Sequence, residues 1–378
     1  MRPSVITGFG AVTCWGSGFE PAWDALTESR PAGHDWLPDG AAGEFFAAPL
    51  PDDYRPIADI PRNLQHMMDR GSVIATDAAL QALTMSGLGM GAGDARRFAV
   101  VDGQAYRAPG QATLFVPYGH VVARVTGVRG PVAIEGGAEA SGMAAIAAAV
   151  RLIARGDADI VLAGAAQALQ EPLLDHFRAQ GFSAKGPARP LDVEDAGFVP
   201  AEGAAYFVIE SRAFAEERGA SVLASVAGVG ATFDPIAEPL ATSLANEAGR
   251  AMQAALGNAG YLQNQVDHIV SCADGRPNLD AAEAQGIMRT FGRHAYYAGV
   301  STVAATFGHT LAASGPLSIA YGLETMRRNA VTPIHGFSKG REGFELSYVT
   351  EARDETVGCV LVNSLGLGGT NISILLQR

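Results

Sequence analysis

Two short segments of the chain place an ionisable side chain among small residues, just ahead of an alanine-rich stretch. Glu139 lies in GAEASG at 137–142, and His309 lies in GHTLAASG at 308–315. A helix N-terminus offers free N–H groups and the positive end of the helix dipole, which stabilise a carboxylate or activate a nucleophile there. We therefore predict that both residues lie at helix N-termini and that the two helix ends face one site.

Strands alternate with helices along the chain, and the plan of the first half returns in the second. Predicted strands are Val5–Thr7, Arg97–Asp102, Val132–Ile134, Ile160–Ala163, Ser221–Val229, His268–Cys272, Gly358–Val362 and Asn371–Leu376. Predicted helices are Arg70–Met85, Ser141–Ala154, Thr242–Leu256, Ala281–Thr290 and Thr310–Arg328. The first strand is expected to turn at Gly8 and Gly10. The pattern indicates a mostly parallel sheet with helices on both faces, duplicated about a junction near Ser211–Ala220, which gives halves 1–215 and 216–378.

Composition excludes several classes of protein. With 378 residues, 48% of them hydrophobic and 17% charged, the chain can bury a large core. The net charge is −12 without a run of lysine or arginine, so we expect no nucleic-acid partner. No apolar run reaches membrane-spanning length, and we expect no signal peptide because the N-terminus lacks a long apolar core. The three scattered cysteines, Cys14, Cys272 and Cys359, suit a reduced cytoplasmic protein without a structural metal ion.

Seven segments in the same order resemble the β-ketoacyl synthases, the condensing branch of the thiolase superfamily. They are VITGFGAVT (5–13), MDRGSVIATDAALQAL (68–83), VRGP (128–131), ARGDADIVLAGAA (154–166), RPLDVEDAGFVPAEGAA (189–205), FGHTLAASG (307–315) and NSLGLGGTN (363–371). The resemblance covers nearly the whole chain. It implies an α/β thiolase-like fold with a duplicated αβαβα five-layer architecture and no cofactor.

The resemblance also assigns four catalytic positions, because the family condenses acyl and malonyl thioesters with one cysteine, two histidines and a lysine. Counting the family's seventeen residues back from Gly156 puts Glu139 at the cysteine position. The first histidine position is Asp274, in an Ala-Asp-Gly step followed by Asp280 and Glu283.

The second histidine is retained as His309, and the supporting lysine, five residues earlier, is replaced by Ala304. Three of the four positions therefore depart from the family pattern. The resemblance implies that all four are vestigial.

The residue at position 139 decides whether the chain can condense acyl groups. A cysteine thiolate is both a nucleophile and a leaving group, whereas an acylated carboxylate would be a mixed anhydride. We therefore expect no condensation through Glu139. An ionised Glu139 would repel a malonyl carboxylate, whereas a neutral one would mimic the glutamine that some relatives carry there, and the sequence leaves both states open.

The glycine-rich loop near the C-terminus is the expected binding element. The resemblance implies that Gly366, Leu367, Gly368, Gly369 and Asn371 form it, with one oxyanion N–H group and with Leu367 as the gate. The same loop could simply pack the two halves together. Residues 101–117 replace a longer family segment that carries part of the dimer interface and the tunnel wall.

Three functions remain open. The first is a chain-length-factor-like subunit that pairs with a catalytic ketosynthase and shapes its acyl tunnel, with acyl carrier protein docking through the partner. The second is an enzyme in its own right, a malonyl decarboxylase or another acyl-transfer enzyme that uses Glu139. The third is a scaffold that binds carrier protein without chemistry.

Overall fold

The computed structural model describes residues 2–38, 43–65, 68–89, 94–106, 116–194, 197–235, 241–366 and 368–378. The strands are β1 (Ser4–Thr13), β2 (Gly16–Ser17), β3 (His34–Trp36), β4 (Phe45–Ala47), β5 (Phe98–Gly103), β6 (Val132–Glu135), β7 (Ile160–Gln167), β8 (Gly203–Ser211), β9 (Ala224–Phe233), β10 (His268–Val270), β11 (Gly299–Ser301), β12 (Ala330–Val331), β13 (Ser347–Tyr348), β14 (Arg353–Asp354), β15 (Cys359–Leu365) and β16 (Thr370–Gln377). The helices are α1 (Glu20–Thr27), α2 (Arg62–Gln65), α3 (Arg70–Ser86), α4 (Tyr118–Thr126), α5 (Ser141–Arg155), α6 (Glu171–Ala179), α7 (Arg212–Glu217), α8 (Ala241–Ala259), α9 (Pro277–Phe291), α10 (Ala304–Phe307) and α11 (Ser314–Arg328).

The main sheet consists of two similar halves joined at a narrow seam. Its strand order is β13-β11-β10-β15-β16-β9-β1-β8-β7-β5-β6, with β2 paired to β1. In the first half β6, β5 and β7 are parallel, whereas β8 and β1 are antiparallel to their neighbours. In the second half β11, β10 and β15 are parallel, whereas β16 and β9 are antiparallel to theirs. The seam between β1 and β9 consists of two residue pairs, Val5 with Ser225 and Ile6 with Ala224.

The mostly parallel sheet predicted from the sequence is therefore wrong, because each half is mixed. The reason is visible between β15 and β16, where a short glycine-rich loop joins the strands. A connection this short can only join antiparallel neighbours, since a parallel pair needs a crossover of a dozen residues or more.

Helices cover both faces of each half of the sheet. Helices α3 and α4 pack on the first half from outside, α8 packs on the second, and α9 packs on α8. Helices α5 and α11 contact each other and lie between the halves, α5 against β5 and β7 and α11 against β15. This arrangement confirms the predicted thiolase-like architecture of five layers. Among the described residues, no helix has the length and apolar character that crossing a membrane requires.

The glycines near the N-terminus have a role that differs from the predicted turn. Strand β1 continues through Gly8 and Gly10 to Thr13. A Cβ atom on Gly10 would lie 2.1 Å from the backbone oxygen of Ala78, and one on Gly8 would lie 2.4 Å from that of Ala82. The glycines are therefore needed because α3 packs directly on the backbone of β1.

Candidate functional site

Glu139 lies in a tight turn at the inner layer of the molecule. The residue belongs to a 3-10 turn, Ala138–Ala140, that leads directly into α5, and Ala138 has a φ of 50°. The residue is 8% exposed. The structure thus places Glu139 beside a helix N-terminus, as the sequence predicts.

The second half of the chain repeats this turn, but not with His309. A 3-10 turn at Leu311–Ala313 leads into α11, and Leu311 has a φ of 46°. Helices α5 and α11 both contain 15 residues and begin with Ser-Gly. The structural counterpart of Glu139 is therefore Ala312, two residues into the repeated turn.

His309 is not at a helix N-terminus, so that expectation is wrong. Its backbone is extended, with its N–H donating to the Val199 oxygen at 2.7 Å and its oxygen accepting from the Ala201 N–H at 3.0 Å. The pairing holds the imidazole against Phe198, with ring centroids 4.4 Å apart. The structure still brings His309 to the site, from a strand-like segment rather than from a helix.

Asp274 lies in the loop that follows β10 and is 1% exposed. The Asp280 carboxylate at the start of α9 holds this loop, since it accepts hydrogen bonds from the backbone N–H groups of Asp274 and Gly275 at 3.0 Å and 3.1 Å. The Asp274 carboxylate is thereby fixed toward the centre of the molecule. Asp274 is thus a buried loop residue of the site.

Arg276 connects the acidic positions and is the residue that sequence reasoning missed. Its Nη1 donates to Glu139 Oε1 at 3.0 Å, and its Nη2 donates to Asp274 Oδ2 at 2.8 Å. Its Nε lies 3.1 Å from both oxygens of Asp274. Arg276 is 6% exposed, and its guanidinium lies over the Phe198 ring at 5.1 Å. The sequence does offer one indication of this role, because the arginine comes two residues after Asp274, directly after the Ala-Asp-Gly step.

The charges of this cluster stabilise one another. Burial acts to raise the pKa of Asp274, but the charge of Arg276 and the hydrogen bond from His309 outweigh it and hold that pKa well below its usual range. Burial acts to lower the pKa of Arg276, but Asp274 and then Glu139 outweigh it and raise that pKa. We therefore treat Asp274 as a carboxylate and Arg276 as a cation at any physiological pH.

His309 joins the cluster through its other face. Its Nδ1 lies 3.1 Å from Asp274 Oδ2. Among the residues that the structure describes, its buried Nε2 has no hydrogen-bond partner. Glu139, Arg276, Asp274 and His309 thus form one continuous chain of contacts, and we call these four residues the ion-pair cluster.

The cavity beside the ion-pair cluster is small. Glu139, Asp274, Arg276 and His309 line it together with apolar, hydroxyl and thiol side chains, and its volume is about 20 Å³. One water molecule needs about 10–15 Å³ on this measure, so there is room for a single water. Ala304 also lines the cavity, with a methyl group where the family resemblance places a lysine.

The glycine-rich loop lies directly over the Glu139 turn. A Cβ atom on Gly366 would lie 3.3 Å from Glu139 Oε2, and one on Gly368 would lie 3.3 Å from Ala138 Cβ. The Gly366 N–H donates to the Thr370 oxygen at 2.9 Å, so it is not available as an oxyanion donor.

Two other members of the loop, Gly369 and Asn371, are held by hydrogen bonds within it. The Gly369 N–H donates to the Gly366 oxygen at 2.9 Å, and Asn371 is fully buried, with its Nδ2 donating to the Gly369 oxygen at 3.1 Å. Leu367, the expected gate, and most of the shortened segment, residues 107–115, lie outside the described residues. Within the part of the chain that is described, no group of three or more histidine, cysteine or acidic residues is arranged to hold a metal ion.

Comparison with known proteins supports the architecture over the full length. The chain is 30% identical to 3-oxoacyl-(acyl-carrier-protein) synthase 2 of Coxiella burnetii, over all of this chain and 99% of that protein. A β-ketoacyl synthase crystal structure from Burkholderia phymatum matches with a TM-score of 0.89 at 29% identity, over all of both chains. The ishigamide ketosynthase/chain length factor also matches with a TM-score of 0.89, at 23% identity, over all of this chain and 99% of that one.

Two family models match the chain in sequence order. The β-ketoacyl synthase N-terminal domain matches residues 1–215, and the β-ketoacyl synthase C-terminal domain matches residues 223–338. Together they account for most of the chain, and the chain therefore belongs to the β-ketoacyl synthase family.

Proposed function

We propose that this chain is a non-condensing ketosynthase subunit of the chain-length-factor kind. It pairs with a catalytic ketosynthase in type II polyketide, polyene or fatty-acid-like biosynthesis and shapes the tunnel in which the acyl chain grows. One observation carries the proposal, namely the buried ion pair between Arg276 and Glu139 at the position where the family has its nucleophile.

The ion pair makes Glu139 less reactive as a nucleophile and leaves little space beside it. A guanidinium at 3.0 Å stabilises the charged carboxylate of Glu139 and lowers its tendency to attack a thioester. The Arg276 side chain also occupies space beside the residue, and the remaining cavity admits a single water. While the ion pair is intact, there is therefore no room for an acyl chain at Glu139.

The ion-pair cluster also argues against a malonyl decarboxylase. The enolate left by decarboxylation needs a positive potential or hydrogen-bond donors that are free to face it. Here one guanidinium is shared by two carboxylates, those of Glu139 and Asp274.

A catalytic ketosynthase partner would carry the two features that this chain lacks, the nucleophile and the hydrogen-bond donors that stabilise the enolate. The acidic carrier protein would dock on that partner, because this chain has a net charge of −12 and would repel it. Obligate interfaces of this kind bury more than about 2,000 Å² in total.

Co-expression with each catalytic ketosynthase of the same organism in turn tests the pairing. Light scattering should show a 1:1 heterodimer that survives size-exclusion chromatography with one of them, and the chain expressed alone should aggregate or self-associate. A ketosynthase from an unrelated organism serves as the control and should not co-purify. A monodisperse homodimer that binds none of the organism's ketosynthases would overturn the proposal.

A further inference from the structure

The edge of β1 that faces away from β8 is paired at both ends and open in the middle. It pairs with β9 at residues 5–6 and with β2 at residues 12–13. A register shift between Ile6 and Gly8 marks a β-bulge, and a bulge bends the strand that carries it. No strand within the described ranges pairs with this edge at residues 7–10, and we call this stretch the open edge.

Side chains of α3, rather than another strand, satisfy the N–H groups on this side of β1. The Phe9 N–H donates to Met85 Sδ at 3.4 Å, and the Ala11 N–H donates to Gln81 Oε1 at 3.3 Å. The N–H and carbonyl groups of a residue in an antiparallel strand point to the same edge, so the Phe9 oxygen also faces away from β8. A thioether is a weak acceptor, so a peptide carbonyl would give the Phe9 N–H a stronger hydrogen bond than Met85 does.

A groove of about 710 Å³ lies beside the open edge. Typical ligand sites have volumes of about 300–1,000 Å³. Apolar atoms form most of the wall, and its apolar side chains include Phe19, Leu223, Ile57 and Met85, of which the last two are 66% and 49% exposed. Proteins usually guard an unpaired edge with charged side chains or proline. Here the space in front of the edge is instead apolar, which suits the side chains of a bound peptide.

The groove admits only a short segment of chain. The Leu223 N–H donates to the Ile6 oxygen at 2.8 Å, and the Gly18 N–H donates to the Ala11 oxygen at 2.9 Å, so both ends of the open edge are closed. The open residues 7–10 span about 14 Å at about 3.4 Å per residue. The long edge strand of another folded sheet, including that of a second copy of this chain, does not fit there, whereas a single extended segment does.

We propose that an extended segment of a partner protein binds in this groove and adds a short strand to β1. One residue of the segment exchanges two backbone hydrogen bonds with Phe9, and its carbonyl displaces the Met85 sulfur. The neighbouring side chains of the segment are apolar and pack on Ile57 and on the displaced Met85, which is flexible enough to move. The inference goes beyond the proposed function, since it assigns a second binding surface to this chain.

Binding of the peptide acetyl-Lys-Val-Val-Val-Lys-amide, measured by isothermal titration calorimetry, tests the proposal. We expect saturable binding with a dissociation constant of about 1 mM or lower. The same peptide with N-methyl groups on its three valines keeps the apolar side chains but cannot donate from those positions. It should bind at least about tenfold more weakly, because two backbone hydrogen bonds are at stake. Equal binding of the two peptides, or no saturable binding of the first, would overturn the proposal.

A pair of protein variants locates the bound peptide. Met85→Arg places a long charged side chain in the groove and should weaken binding at least about tenfold. Leu262→Arg is the matched control, because Leu262 is 64% exposed and lies outside the groove, and it should leave the affinity unchanged. Equal affinities of the two variants would contradict the proposal. Every residue of the groove belongs to this chain, so the test applies to a heterodimer and to a homodimer alike, and its failure is distinct from failure of the proposed function.

Discussion

Arg276 balances the charge of the altered site. It contacts two carboxylates, and all three side chains are buried, with Glu139 8%, Asp274 1% and Arg276 6% exposed. A buried pair of this kind is not evidence of extra stability, because desolvation offsets the attraction. It does mean that none of the three residues can be removed alone without cost.

Replacing Arg276 with methionine should therefore destabilise the protein. The change leaves two carboxylates buried without a counter-charge, and breaking such a pair costs about 3–5 kcal/mol. Urea unfolding monitored by circular dichroism measures the loss in the free energy of unfolding. The control is Arg250→Met, which removes an exposed pair with Glu247 and should cost less than about 1 kcal/mol. Equal losses in the two variants would show that the ion-pair cluster does not exist in solution.

Introducing the missing nucleophile should not restore condensation. Glu139→Cys places a thiol beside a helix N-terminus, where part of the acyl loading can return. Condensation also needs enolate donors, and losing even one such donor costs about 10²–10³-fold in rate. Asp274 opposes the enolate charge, and Ala304 lacks the lysine's cation. Intact mass should show acyl loading, while a product assay without the partner should show no β-ketoacyl thioester. Efficient product formation would mean that only the nucleophile was lost.

At the scale of elements, the Ala138–Ala140 turn with the start of α5 packs so closely on the Leu311–Ala313 turn that no methyl group fits between them. Gly142, in the first turn of α5, faces the Leu311–Ala313 turn, and a Cβ atom there would lie 2.2 Å from the Ala312 oxygen. Position 142 therefore fixes how the Glu139 turn meets its counterpart in the second half. The corresponding glycine of α11, Gly315, is also closely packed, but against α5 itself, since a Cβ atom there would lie 2.4 Å from Met143 Cγ.

Gly142→Ala should destabilise the fold by about 1–3 kcal/mol, because the backbone oxygen cannot move away easily. Gly257→Ala is the matched control, since that glycine lies in α8 with nothing within 4 Å of an added Cβ. The control should stabilise the helix by about 0.5–1 kcal/mol. Thermal unfolding compares the two. Stabilisation by both substitutions would show that the turns are further apart than described.

His268 in β10 links strand pairing to pH. Its Nε2 lies 2.7 Å from the Ser301 hydroxyl in β11, and burial, followed by the charge of Arg353, lowers its pKa from 6.5 to about 3. The unfolded chain therefore takes up a proton below pH 6.5 that the folded chain refuses until about pH 3. Its contribution to stability is complete above pH 6.5 and is lost as the pH falls toward 3.

The loss should amount to about 1.4 kcal/mol per pH unit below pH 6.5. Free energies of unfolding at pH 7.5 and pH 5.5 measure it, with His268→Gln as the reference. The pH-dependent difference should be about 1.4 kcal/mol smaller in the variant. An unchanged difference would place His268 in contact with solvent.

At the scale of the whole molecule, the sequence was enough to predict the layers and to select Glu139, Asp274 and His309, which the structure brings to one cavity. Motif order located Glu139 and Asp274, because insertions between short strand–helix units do not disturb local spacing. Position along the chain could not show that Arg276 reaches both carboxylates, since that contact joins residues 137 positions apart. The register of the internal repeat was also missed, because Ala312 carries no chemistry that would mark it as the counterpart of Glu139.

The central claim is that this subunit carries no acyl group while its partner does. The most direct measurement is intact-protein mass spectrometry of the co-purified heterodimer after incubation with acyl and malonyl carrier protein. The account predicts an acyl adduct on the ketosynthase and an unchanged mass for this chain, with Glu139→Cys as the positive control for detection. A stable adduct mapped to Glu139 in the unmodified chain would contradict it.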